Sequence, residues 1–211
     1  MRWFWLSSHS IPLLLLLISS PAASVALSRK HYFGSEFISF LAVAARAASA
    51  PDGTFFDNSR LTCLRCLNNL LCLRTLQVEV ALQTQEFLAP LAPSGASAHQ
   101  GVLSEWILLL RNIAAVVYSC RLSGCEAHAQ YIAGLVLPFL RASSASSGET
   151  AWNAALALGT CLHTCKNSSK TVDVSPVLVT DSKAALLHVK AAFAANDPVH
   201  LIALEALELL Q

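Results

Sequence analysis

Hydrophobic and polar positions follow a helical period over most of the chain. From Asn58, the residues Leu61, Leu64, Leu67 or Asn68, Leu71 and Leu76 advance by threes and fours, which places them on one face of a helix. The next apolar run, 77–93, predicts a second helix that ends at Pro90 and Pro93, followed by a Ser/Gly loop at 94–101. Residues 102–122 have almost no polar face and predict a long central helix. The turn "SGCE" precedes a helix over 127–143, and the loop at 144–149 leads into another nearly apolar helix over 150–166. A polar stretch, 167–181, separates these from helices over 182–196 and 198–211, the last with Asp197-Pro198 as its start signal. Upstream, 35–49 has helical spacing, with Phe37, Phe40, Leu41 and Ala44 on one side, and 50–59 reads as a loop closing on an Asp57/Ser59 helix start.

No segment carries the alternation of a strand. Fully apolar helices alternate with amphipathic ones, which suits an up-down bundle or an α-solenoid. Helix pairs recur at roughly 40 residues, the armadillo/HEAT period, and this favours the solenoid. The expected fold is therefore all-α, an armadillo/HEAT-like α-solenoid of roughly four repeats, each burying its apolar face against its neighbours.

Composition agrees. The chain is 55% hydrophobic and 13% charged, against about 25% charged for an average soluble domain. Most of the apolar residues are Ala and Leu, which favour helices. A net charge of +1 gives no support for nucleic-acid binding. The first 27 residues differ: Arg2 without an acid, an apolar run from Ile11, and small residues at Ser24 and Ala26 predict a signal peptide cleaved after Ala26. Pro12, Pro21 and the serines break that run too early for a membrane span. The expected organisation is a signal peptide at 1–27, a linker with a first helix at 28–56 and the helical domain at 57–211.

Three of the seven cysteines fall in "LTCLRCLNNLLC". A zinc knuckle needs ligands in a loop and a second pair nearby, whereas Cys63 and Cys66 sit mid-helix between leucines. A redox C-x-x-C needs a βαβ setting, which is missing. Both read as core cysteines, since a thiol packs as a small hydrophobe. The seven histidines are scattered, none in an H-E-x-x-H or triad-like setting, and the sequence has no P-loop, no G-x-S-x-G and no clustered carboxylate pair. No catalytic residue, metal or cofactor is expected. Asn167-Ser168-Ser169 is a glycosylation sequon that matters only in a secreted chain.

What stands out is the set of polar residues on otherwise apolar helices. Arg65, Asn69, Arg111 and Asn112 fall at the same depth of successive helices. In a solenoid, such residues line a groove where they bind a peptide's main chain and carboxylates. Lys166, near the end of its helix, adds a further cation.

The order of motifs resembles the PUL domain, the armadillo-like module of the phospholipase A-2-activating protein family. An "LR-x-L-x-N" helix appears as Leu64-Arg65-Cys66-Leu67-Asn68-Asn69. A long apolar helix ending near "NYS" appears as Val117-Tyr118-Ser119. An "E-x-x-x-R-x-x-x-ALG" helix appears as Glu149 with Ala157-Leu158-Gly159, where Asn153 stands at the arginine position. The resemblance covers roughly residues 60–211. It implies a non-enzymatic adaptor whose basic groove receives the acidic, aromatic-bearing C-terminal tail of a valosin-containing-protein-type AAA ATPase, in ubiquitin-dependent protein degradation. By the motif Arg65 would be one groove arginine, and the chain would work in the cytoplasm or nucleus; with Asn69, Arg111 and Lys166 from the polar set, it makes up the expected peptide-binding residues. The leader instead points to the secretory pathway or a secondary plastid. The alternatives are a helical-repeat scaffold for another partner and a secreted helical protein.

Overall fold

A computed structural model describes residues 54–71, 74–92, 100–121, 124–144, 147–168 and 174–211. The leader at 1–27, the helix expected over 35–49 and the loop up to residue 53 lie outside the described residues. Within these, all regular structure is helical: α1 (Thr54–Leu70), α2 (Arg74–Leu82), α3 (Thr84–Leu88) with a 3-10 turn at Ala89–Leu91, α4 (Gln100–Cys120), α5 (Cys125–Arg141), α6 (Gly148–Ser168), α7 (Pro176–Ala192) and α8 (Pro198–Glu208).

Several boundaries differ from the expected ones for local reasons. α1 begins at Thr54 rather than at the Asp57/Ser59 signal, because acidic and hydroxyl residues suit the first turn of a helix as well as its cap. The helix expected over 77–93 is divided into α2, α3 and the 3-10 turn. Thr84, fully buried, turns its hydroxyl back to the carbonyls of Val80 at 2.9 Å and Ala81 at 3.4 Å, a competition that bends helices. Pro90 then ends the run. α7 starts at Pro176, inside the stretch expected to be polar loop, because Ser175 and Pro176 form a helix start in which proline presets the first residue. α8 starts as expected: the Asp197 side chain accepts from the Val199 N–H at 2.8 Å.

The chain divides into two compact units. Among the described residues, one holds those from Thr54 to Glu79 together with those of Glu86–Glu105. The other holds Val80–Gln85 and Trp106–Gln211. In the first, α1 buries Cys63, Leu64, Cys66 and Leu67, and Leu71 just past its end is buried with them. The spacing of these residues is that of one helical face. Cys63 and Cys66 thus take the core positions expected of them. Burial pushes the Cys63 thiol up to about 11, and burial together with the neighbouring Cys63 pushes Cys66 up to about 12. Neither is a poised nucleophile, since the thiolate is the reactive form.

In the second unit, α5 packs on α6 and α7 packs on α8, while α7 also lies on α5 and α8 on α6. The Cys165 thiol at the end of α6 reaches the Glu126 carbonyl at the start of α5, 3.9 Å away, so these two helices run antiparallel. Helical hairpins therefore stack on one another, the construction of an armadillo/HEAT-like solenoid. Contacts between successive hairpins recur at a nearly constant sequence offset. Arg111 meets Asn153, 42 residues on, and His188 meets the Ser143 carbonyl, 45 residues away. The same period appears in the first unit, where Arg65 meets Glu105 across 40 residues. α6, between several neighbours, packs with small residues: Ala151, Ala154, Ala155 and Ala157 are all buried, and a Cβ at Gly159 would touch only Ala206 of α8, at 3.6 Å.

α4 is long and apolar enough to cross a bilayer by length and composition. Its apolar residues serve the core instead: Trp106, Ile107, Leu109, Leu110 and Ile113 are all at or below 1% exposure. The chain turns after α4 through two left-handed residues, Arg121 (φ 47°) and Gly124 (φ 81°), the second a conformation that glycine adopts without strain.

Candidate functional site

The four residues expected to line a groove are distributed over both units: Arg65 and Asn69 in the first, Arg111 and Lys166 in the second. Arg65 rises from the middle of α1 with its side chain 54% exposed, and its Nε donates to Glu105 Oε1 at 3.0 Å. Glu105, on the first turns of α4, is 19% exposed. Asn68, one turn after Arg65, holds the same acid twice, with Nδ2 donating to Oε2 at 3.0 Å and to the Glu105 carbonyl at 3.1 Å. Asn69 is half-buried on the adjoining strip of α1.

Arg111 is half-buried on α4. Its Nη1 donates to Asn153 Oδ1 on α6 at 2.9 Å, and its guanidinium carbon lies 5.0 Å from the centroid of the Trp152 ring. That distance is inside the range in which a cation is held by the face of an indole. Asn153 itself is buried, at 5% exposure. The amide that stands at the arginine position of the sequence pattern therefore receives a guanidinium from the neighbouring helix. Among the described residues, Arg111 has no acidic partner, so its charge is oriented without being cancelled.

About two turns further along α4, Tyr118 stacks at a tilt on His163 of α6, with ring centroids 5.3 Å apart. His163 Nε2 and Asn167 Nδ2 are 3.1 Å apart. Trp152 and His163 are separated by about three turns of α6, so they share one stripe of that helix. Between them, Ala115 on α4 is exposed. The face shared by α4 and α6 thus has a cation against an indole at one end and a Tyr/His pair at the other. Lys166 is exposed in the last turn of α6, about 20 Å along that helix from Trp152. The structure does not bring it to Arg111; it stands at the far end of the same stripe.

Trp152, His163 and Glu105 were not among the expected site residues. The available signal was the repeat offset. Shifting the sequence by about 40 residues aligns Arg65 with Glu105 and Arg111 with the Trp152-Asn153 pair.

Stacked helical hairpins of this kind make a protein of the helical-repeat class. The family to which the chain belongs is that of the PUL domain, whose family model matches residues 11–199. PUL domains are protein-interaction domains with an armadillo-like fold, which gives this chain protein partners as a class of ligand. No curated protein and no solved structure matches the chain.

Proposed function

We propose that this chain is a non-enzymatic adaptor that binds the acidic, aromatic-bearing C-terminal tail of a valosin-containing-protein-type AAA ATPase, and so serves ubiquitin-dependent protein turnover. The observation that carries the reading is the Arg111 site. A guanidinium fixed by a buried amide and an indole ring, with no acid beside it among the described residues, is suited to a carboxylate, and the ring to an aromatic side chain. The interaction class comes from the family. The identity of the tail comes from the resemblance of the motifs.

Arg65 and Asn69 in the first unit and Arg111 and Lys166 in the second are the proposed peptide contacts, with Trp152, Tyr118 and His163 added by the geometry. The cation expected of the family at position 153 is, in this reading, supplied by Arg111 from α4. Titration of the ATPase's tail peptide into the full chain tests the proposal. Binding should be measurable, should weaken as salt rises because these cations face solvent, and should fall when the terminal aromatic residue is removed. A tail that does not bind at low salt would leave a helical-repeat scaffold with a different partner.

A further inference from the structure

We infer that Glu105 is a built-in competitor for Arg65: a ligand carboxylate engages Arg65 by exchange with the Glu105 carboxylate, which favours ligands carrying several adjacent carboxylates over singly charged ones. This rests on the peptide-binding reading above.

The geometry supports exchange over a fixed structural pair. The guanidinium is 54% exposed and the carboxylate 19%, so the acid sits on the inner side and a ligand approaches from water. Among the described residues, Arg65 meets Glu105 through Nε alone, at 3.0 Å from Oε1, rather than in the two-pronged contact that holds an arginine most firmly. Glu105 also does not depend on Arg65 alone. Asn68 donates to its other oxygen, Oε2, at 3.0 Å, and to its main-chain carbonyl at 3.1 Å. When Arg65 swings away, the acid keeps a donor and is not left buried and unpaired, the circumstance that makes breaking an ion pair costly.

The consequence is a threshold. A carboxylate arriving at Arg65 meets a cation already offset by an anion 3.0 Å away, and two carboxylates on one guanidinium repel each other. A lone acid therefore gains little. A run of acids on one peptide supplies a high local concentration of carboxylate, each able to replace Glu105 when another lets go.

The probe is a synthetic run of aspartates ending in tyrosine, with N-acetyltyrosine as the singly charged control, titrated into the full chain at low salt. Glu105→Gln is expected to bind the aspartate peptide about fivefold more tightly than the wild type, the scale of one exposed ion pair. Combining it with Arg65→Gln should abolish the gain. In the wild type, the NMR signal of the Arg65 Nε–H should move towards a solvent-exposed position as peptide is added. If Glu105→Gln is not folded by circular dichroism, Glu105→Asp, too short to keep Oε1 on Arg65, should give a smaller gain in its place. Unchanged or weaker binding by Glu105→Gln while the wild type binds would overturn the exchange and leave Glu105 as a strut between α1 and α4. Failure of every form to bind the peptide would overturn the adaptor reading and this inference together.

Discussion

Arg65 on α1 and Arg111 on α4 are each met by a residue about one helical repeat further along the chain. Arg65 meets a carboxylate, Glu105, and Arg111 meets an amide, Asn153, with the Trp152 ring beside it. The repeat geometry is the same in the two places and the electrostatics are opposite. The first arginine is offset where it stands. The second is held in place and keeps its charge. A solenoid's repeat thus sets where a cation is presented, and the residue one repeat on sets how much of that charge a ligand encounters.

The widest gap between the two should appear when each cation is removed. Arg111→Gln keeps a donor for Asn153 and loses the charge, and tail affinity should fall roughly thirtyfold, within the span of one charge-assisted contact of about 1.5–3 kcal/mol. Arg65→Gln, the matching neutral change, should cost less, no more than roughly tenfold, because part of that charge is already offset by Glu105. A larger loss at Arg65 than at Arg111, by calorimetry, would break the comparison. Trp152→Ala should lower affinity by about fivefold through the lost ring contact, with the helical content unchanged. Lys166→Ala, at the exposed end of α6, should change affinity by no more than about twofold.

The cysteines give a separate check on the first unit. The buried thiols of Cys63 and Cys66 are held at about 11 and about 12, above the ordinary value of 9.0. Burial likewise holds Cys165 at about 11 and raises Cys161. The unfolded chain loses these protons near pH 9 while the folded chain keeps them, so the folded state binds more protons and stability falls as pH rises from about 9 towards 11. The slope is up to about 1.4 kcal/mol per pH unit for each thiol. The melting temperature should be flat from pH 7 to 8.5 and drop above 9. In the native chain at pH 8, a thiol reagent should leave Cys63 and Cys66 unmodified. Rapid labelling of both would contradict their burial.

Much of this architecture was readable from the chain. Leucines at threes and fours on α1, and the nearly apolar runs that became α4 and α6, mark helices whose buried faces the structure confirms. Asp197-Pro198 marks a start that the Asp197 side chain performs. The start of α7 was hidden because its first turn buries little: Val177 is 69% exposed, so no apolar face announces it and only Ser175-Pro176 signals a helix. The break between α2 and α3 was hidden because it depends on which carbonyls the Thr84 hydroxyl chooses, and residue type does not fix that choice. At the site, Arg65 and Arg111 were conspicuous as lone charges on apolar helices. Their partners were not, because Glu105 and Trp152 lie about forty residues away, and only the stacking of hairpins brings them within hydrogen-bonding or ring distance.

The most direct test of the account is calorimetric titration of the ATPase tail peptide into the wild-type chain and into Arg111→Gln at low salt. The account predicts measurable binding by the wild type, weakened by added salt, and a roughly thirtyfold loss in the variant. No binding by the wild type, or equal binding by the two forms, would contradict it.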